Sequence, residues 1–174
     1  KPSTALAPLN ASYRVYALPI ESPSHGDRTL EVNPWLADAS PEGWHTIPGG
    51  TYTGTFTTTR GNNVMAYEDK ANTNAPGAYA DGGANRVFDF PFIVNNTPAN
   101  LNASTTNLFY VNNKIHDIFY RLGFTETARN FQAWNFGKGG GQNDYVQAES
   151  QDGGGTDNAN FDTPIDGSRP SMQM

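Results

Sequence analysis

The chain of 174 residues contains no cysteine, little charge and only three histidines. The absence of cysteine excludes a disulfide framework, a thiolate zinc finger and a cysteine nucleophile. Charged residues make up 16% of the chain, and 17 acidic against 11 basic residues give a net charge of −6. Nucleic acids and anionic membranes are bound through clustered Lys and Arg, so we expect neither as a partner. No apolar run approaches the ~20 residues that cross a bilayer.

Glycine, proline and aromatic residues are abundant instead. The 18 Gly and 12 Pro indicate many turns, while 8 Tyr, 10 Phe and 3 Trp argue against disorder. This weakly charged, turn-rich composition is typical of secreted, mainly-β proteins, and we predict an extracellular location. Three N-x-[ST] sequons, starting at Asn10, Asn95 and Asn102, fit a secreted glycoprotein. The alternative is that an asparagine-rich chain creates such sequons by chance.

Most of the first hundred residues favour short strands separated by turns. Alternating or β-branched segments at 13–18, 51–59, 64–67 and 86–94 are typical of strands, and 145–150 and 158–161 can also be extended. Three prolines within 21–44 and a Gly/Asn/Ala-rich stretch at 69–85 indicate loops. These patterns predict a β-rich architecture.

One segment has the periodicity of a long helix, over about 105–122. Its apolar residues recur at helical spacing: Leu108, Val111, Ile115, Ile118, Phe119 and Leu122. A serine or threonine at 104–106 can cap the start, and Gly123 can adopt the left-handed conformation that ends a helix. We therefore predict an α+β fold, in which this helix packs against the β-rich part.

The three histidines do not form a recognisable zinc motif. An H-E-x-x-H site requires a second histidine four residues after the first, so that both rings reach one ion. His116 is followed by Asp117, and the residue four positions later is Tyr120. We therefore predict that His116 is a hydrogen-bonded packing residue and that the sequence contains no complete zinc site.

The acidic, glycine-rich stretch at 152–158 raises calcium as a second metal. Its carboxylate and amide oxygens suit a hard cation, but their spacing does not match an EF-hand loop. Solvated turn acids are the favoured interpretation, which leaves calcium as an unsupported alternative. The glycine loop at 139–143 lacks the Lys and Ser/Thr of a phosphate-binding loop, so nucleotide binding is rejected.

A set of ordered motifs points to a known family. It comprises LFYVNNKIHDIFY at 108–120, GGQND at 140–144, QDG at 151–153, NANF at 158–161 and MQM at 172–174. Upstream, NPWL at 33–36, ASPEGWH at 39–45 and TTRGNN at 58–63 belong to the same set. Together they resemble the mature N-terminal region of the fungalysins, which are secreted fungal zinc metallopeptidases. The specificity of the resemblance lies in the order of the motifs.

The resemblance implies a zinc endopeptidase with a thermolysin-like catalytic domain. In such enzymes a zinc-bound water attacks the peptide carbonyl, a Glu is the general base, and the zinc ligands come from H-E-x-x-H and a later Glu. Residues 1–174 contain no such motif. We therefore expect residues 1–174 to be a β-rich N-terminal subdomain without catalytic or metal-binding residues. We expect it to be inactive alone, and to depend on a C-terminal catalytic portion of the same precursor, in one chain or as a separate one.

The resemblance also implies a role for the segment at 158–161. It should form the edge strand of the substrate cleft and hold a peptide substrate through main-chain hydrogen bonds. Asn158, Ala159 and Asn160 are the predicted substrate-binding residues, and an asparagine-rich turn is the structural alternative. The alternative function is a secreted, non-catalytic β-rich binding module, with carbohydrate as the candidate ligand of exposed Tyr, Trp and Asn side chains.

Overall fold

A computed structural model describes residues 8–174, which form nine short strands and one long α-helix. The strands are β1 (Ser12–Val15), β2 (Thr29–Val32), β3 (Thr46–Ile47), β4 (Gly54–Thr55), β5 (Val64–Glu68), β6 (Val87–Phe88), β7 (Val146–Ser150), β8 (Asn160–Asp162) and β9 (Ser171–Gln173). The helix α1 spans Leu101–Arg121, and 3-10 turns cover Pro98–Asn100 and Glu126–Ala128. The α+β prediction is confirmed. Most predicted strands are shorter in the structure: the segment at 51–59 contains only the two residues of β4.

The strands form three small sheets in the described part of the chain. Their orders are β2-β1-β6, β3-β4 and β5-β7-β9-β8. In the four-stranded sheet β5, β7 and β9 are parallel, and β8 joins the far side of β9 antiparallel. Strand β8 therefore ends this sheet, with one partner strand and one free edge.

Helix α1 packs on β5, β7 and β1, and the main core lies between them. On the four-stranded sheet, Ala66, Ala148 and Met172 are aligned across β5, β7 and β9. The two alanines are fully buried and belong to the same apolar cluster as Phe109 and Tyr110 of the helix. Small side chains on the strands let the helix approach closely, and the aromatic rings fill the remaining space.

The helix begins four residues earlier than the sequence predicted. Asn100 occupies the N-cap position without a side-chain cap hydrogen bond, and the predicted caps at 104–106 lie inside the helix. The 3-10 turn before Leu101 supplies the start, because its backbone is already helical. The predicted end is close to the observed one: Arg121 is the last helical residue and Gly123 has φ +103°.

Only the first part of the apolar stripe of α1 packs against the core, through the partly buried Leu108 and Val111. The buried face of the helix carries Ala103, Thr105, Thr106, Phe109, Tyr110, Asn113 and Asp117. Exposure along the predicted stripe rises to 39% at Ile115, 49% at Phe119 and 76% at Leu122. Asn113 and Asp117 can occupy the buried face because other groups of the fold satisfy them: the Asn63 amide donates to Asn113 Oδ1 at 3.2 Å, and Ser40 Oγ donates to Asp117 Oδ1 at 2.6 Å.

Candidate functional site

The segment predicted to bind substrate lies at the free edge of the four-stranded sheet. Asn160 is the first residue of β8, and Asn158 and Ala159 immediately precede it. All three are exposed, as are the other two residues of the strand. The three predicted residues therefore lie next to one another, with Asn158 and Ala159 before the edge strand and Asn160 at its first position. An exposed strand edge offers unpaired N–H and C=O groups that can pair with another chain.

The hydrogen bonds of β9 show which peptide groups point towards β8. Pro170 O accepts from the Gln147 N–H at 2.9 Å, and the Met174 N–H donates to Glu149 O at 3.0 Å, so alternate positions from Pro170 face β7. Peptide groups of successive strand residues point to opposite sides. Ser171 and Gln173 therefore direct their peptide groups towards β8.

The same alternation sorts the peptide groups of β8. Asn160 pairs with Gln173 and Asp162 pairs with Ser171, so these two residues of β8 use their main-chain groups inside the sheet. Phe161, between them, directs its N–H and C=O to the free edge. The free edge of this strand is thus presented by Phe161, whereas Asn160 faces inwards.

The side chains of the two asparagines are also engaged within the chain. Asn158 Oδ1 accepts from the Ala159 N–H at 2.9 Å, and Asn160 Nδ2 donates to Gln173 Oε1 at 2.7 Å. The first bond is local to the segment, and the second joins β8 to β9. The segment therefore enters an edge strand with both asparagine side chains hydrogen-bonded within the chain.

Behind this edge lies a buried carboxylate that sequence reasoning missed. Glu149 on β7 is 1% exposed and accepts hydrogen bonds from Tyr67 Oη at 3.0 Å and Gln173 Nε2 at 2.9 Å. Burial and the negative charge of Glu149 raise the pKa of Tyr67 well above its usual range, so this phenol remains a donor. The sequence signal that could have identified Glu149 is a charged residue within the otherwise uncharged strand segment at 146–150.

Glu149 also belongs to the one group of three metal-ligating side chains in the described residues. Carboxylate oxygens of Asp69, Glu149 and Asp152 lie within 4.8 Å of one another. Such oxygens suit a hard cation, whereas zinc sites in peptidases include imidazole ligands. The donor set does not fit zinc. Of the stretch proposed for calcium, only Asp152 belongs to the group, since the other two carboxylates come from β7 and from the loop after β5.

The three histidines are dispersed. His25 lies in an exposed loop, and its side chain is 60% exposed. His116 occupies the packed, hydrogen-bonded position that was predicted, with Nδ1 3.1 Å from Asp117 Oδ1 and Nε2 3.4 Å from Asn130 Nδ2. His45 is 3% exposed and stacked between aromatic rings of the main core. No two of them share one ion site.

The nitrogen atoms of His45 have partners that define its neutral form. Nδ1 lies 3.0 Å from Thr58 O, which can only accept, so Nδ1 carries the proton. Nε2 lies 2.7 Å from Tyr13 Oη and accepts from it. Burial, with a smaller contribution from the charge of Arg86, lowers the pKa of His45 to about 3. The imidazole is therefore a structural group of the core.

The aromatic residues do not form the surface that a carbohydrate-binding module needs. Trp44 is fully buried, Trp35 and Trp134 are half-buried, and Tyr13, Tyr67 and Tyr110 are core residues. Sugar rings stack on exposed aromatic faces, which these side chains do not offer. The structure does not favour the alternative function.

Comparisons with known proteins identify the family of the chain. The model of the family "Fungalysin metallopeptidase (M36)" matches residues 12–174. The chain is 43% identical over 172 residues to "Extracellular metalloproteinase 5" of Trichophyton tonsurans, covering 95% of this chain and 27% of that protein. "Extracellular metalloproteinase 5" of Trichophyton rubrum is 43% identical over 173 residues, with 95% and 26% covered. "Extracellular metalloproteinase 1" of Arthroderma otae is 41% identical over 167 residues, with 94% and 26% covered.

These relatives are longer than the chain. It spans about a quarter of the length of the relatives that it matches. The relatives are named extracellular, and none of the helices in the described residues is long and apolar enough to span a bilayer. The family match covers nearly the whole chain, including the edge strand and the buried glutamate behind it. The chain belongs to the fungalysin family of metallopeptidases.

Proposed function

We propose that this chain is the substrate-binding, β-rich N-terminal part of a secreted zinc endopeptidase. The observation that carries the proposal is the exposed edge of β8, where Phe161 presents a free N–H and C=O beside Ala159 and Asn158. An extended peptide adds to such an edge through main-chain hydrogen bonds, independently of most of its side chains. This mode of binding suits an endopeptidase that cleaves many sequences.

We assign zinc and the general base to a C-terminal portion of the same precursor. The carboxylate group around Glu149 does not fit zinc, and His25, His45 and His116 lie in three separate surroundings. The present residues would therefore hold and orient the peptide, while the reacting groups come from the other portion. By this proposal residues 1–174 alone are inactive.

The exposed stripe of α1 supports the proposed partner. Ile115, Ile118, Phe119 and Leu122 are between 36% and 76% exposed, although the opposite face of the same helix is buried. Leu108 and Val111 continue the stripe into an open groove of about 830 Å³ that also reaches Asn158. A helix that is buried on one face and apolar on the other belongs between two layers. We propose that the C-terminal portion covers this stripe, each newly buried side chain contributing about 1 kcal/mol.

The edge-strand proposal is tested in the peptidase that contains this chain. Phe161→Pro removes the N–H that faces the free edge, and we expect kcat/KM for a peptide substrate to fall about tenfold or more with zinc content unchanged. Asp162→Ala, which alters a neighbouring side chain but no peptide group, is the control. Chelation of zinc should abolish cleavage. Peptide cleavage by residues 1–174 alone would refute the assignment of zinc and the general base to the C-terminal portion.

The proposed interface is tested with a charge on the stripe. Phe119→Asp should weaken association with the C-terminal portion about tenfold or more, because a buried unpaired carboxylate is costly. Leu30→Asp is the matched control, since Leu30 on β2 is 42% exposed and lies outside the stripe. Equal effects of the two substitutions would contradict the assignment of the stripe as the interface.

Secretion and glycosylation are parts of the same proposal. Asn10, Asn95 and Asn102 are all exposed, which an acceptor asparagine requires. Mass analysis of peptides from the secreted protein, before and after glycosidase treatment, tests each site. Unmodified peptides at all three positions would remove glycosylation from the proposal.

A further inference from the structure

Three side chains connect the interior of the four-stranded sheet to its exposed edge. Glu149 Oε2 accepts from Gln173 Nε2 at 2.9 Å, and Gln173 Oε1 accepts from Asn160 Nδ2 at 2.7 Å. The first residue is 1% exposed, the second is half-buried and the third is exposed. This Glu149–Gln173–Asn160 chain runs across β7, β9 and β8, from a buried charge to the strand that presents the free edge.

The buried carboxylate sets the direction of every bond in this chain. An ionised carboxylate only accepts hydrogen bonds, so Glu149 requires the amino end of the Gln173 amide. The opposite end of that amide, Oε1, must then face β8, where it requires a donor. Asn160 can supply one only by turning its own Nδ2 inwards. Tyr67 Oη donates to the other oxygen of Glu149 and holds the carboxylate in place.

Such a constraint matters because β8 is a poorly specified strand. It has three residues, all exposed, and pairs with β9 alone. A slip of one residue would exchange its inward and outward peptide groups and remove Phe161 from the free edge. The polar link at the Asn160–Gln173 pair distinguishes the observed register from its neighbours.

We propose that Glu149, Gln173 and Asn160 act together as positioning residues that fix the register of the substrate-binding edge strand. The proposal rests on the proposed function, and it gives Asn160 a role different from direct contact with substrate. Glu149 acts at a distance, through the orientation of one amide. Substitutions at positions 149 and 160 are therefore coupled although the two side chains do not touch.

The test is a double-mutant cycle with isosteric substitutions. Asn160→Asp places an acceptor opposite Gln173 Oε1. The side-chain amide of Gln173 cannot reverse to present its Nε2 instead, because Nε2 is hydrogen-bonded to the Glu149 carboxylate. Glu149→Gln removes that restriction, so in the double variant Gln173 reverses and donates to the new carboxylate at position 160, while the new amide at position 149 donates to Gln173. The exposed amide of Asn74, whose Oδ1 accepts from Gln173 Nε2 in the wild type, reverses with it and donates to Gln173 Oε1. In the full-length peptidase we expect N160D to raise KM for a peptide substrate about tenfold with kcat nearly unchanged, and E149Q/N160D to restore KM to within about threefold of wild type.

Hydrogen exchange supplies a readout that does not depend on cleavage. In peptides covering residues 157–164, N160D should speed exchange of the amides that face β9, and the double variant should restore their protection. Asn74→Gly is the matched control, because it removes the other acceptor of Gln173 Nε2, at 2.8 Å, and glycine suits the φ of +52° at position 74. It should leave KM and exchange unchanged.

The outcomes separate this inference from the proposed function. If N160D changes neither KM nor exchange, or if the double variant is no better than N160D, the positioning role is refuted. If wild-type protein cleaves no peptide but exchange follows the expected pattern, the register is positioned as inferred and the proposed function fails. Restoration of both readouts by the second substitution supports the inference, since a general loss of stability would be deepened by it.

Discussion

The buried imidazole of His45 makes the stability of the fold dependent on pH. Burial lowers the folded-state pKa from the ordinary value of 6.5 to about 3, so between these values the unfolded chain binds a proton that the folded chain does not. The contribution is fully present above pH 6.5 and is lost progressively as the pH falls towards 3. Each pH unit in this window costs about 1.4 kcal/mol. From pH 7 to pH 5 we expect this group to reduce the free energy of unfolding by about 2 kcal/mol.

The substitution His45→Gln isolates this contribution. The glutamine amide keeps a donor for Thr58 O and an acceptor for Tyr13 Oη but does not titrate. Denaturant unfolding at pH 7 and pH 5 should show that the variant loses about 2 kcal/mol less than wild type over this interval, equivalent to a smaller fall in Tm of about 4–8 °C. His25→Gln is the control, because the side chain of His25 is 60% exposed and remains in water when the chain folds.

Two results would refute this reasoning. One is a His45→Gln variant with the pH dependence of wild type. The other is an NMR titration in which the His45 ring of the folded wild-type protein gains its proton near pH 6. The second measurement needs no variant, so it decides the question even if the substitution prevents folding.

Two further substitutions test the packing around α1 and Trp44. Asp117 is fully buried and accepts hydrogen bonds from Ser40 Oγ at 2.6 Å and Trp44 Nε1 at 3.0 Å. The substitution Asp117→Asn places an amide donor opposite one of these donors. We expect it to lower the free energy of unfolding, measured in denaturant melts, by about 2–4 kcal/mol. Gly61→Ala should cost more than about 4 kcal/mol or prevent folding, because its Cβ would lie 1.5 Å from the Trp44 carbonyl oxygen. Gly155→Ala, whose Cβ would meet nothing closer than 3.5 Å, should leave stability within about 0.5 kcal/mol, and an equal loss at both glycines would contradict the steric argument.

The helix shows what periodicity can and cannot predict. The spacing of apolar residues located α1 to within a few residues, because local propensity and side-chain period act within one segment. It did not identify the face that packs on this chain, since Asn113 and Asp117 are buried and Phe119 and Leu122 are exposed. Periodicity identifies an apolar helix face, but it does not identify the part of the protein that packs on that face.

The edge strand shows the same division. The NANF motif located the segment, and the family match agrees with the set of motifs to which it belongs. The direction of each peptide group depends on the register of β8 on β9, which is a contact between residues about ten positions apart. The role of Gln173 depends in turn on Glu149, which β7 places behind it.

The amino-acid sequence by itself determined the α+β class, the position of the long helix and the family, because these follow from local patterns and ordered motifs. Only the tertiary structure decided which helix face is buried, which residue presents the free edge and why His45 remains neutral. Each of these depends on groups that are distant in the sequence and adjacent in space, where burial and hydrogen-bond partners set the energies. A chain with no cysteine and little charge thus buries Asp117, Glu149 and His45 beside hydrogen-bond partners that only the fold brings to them.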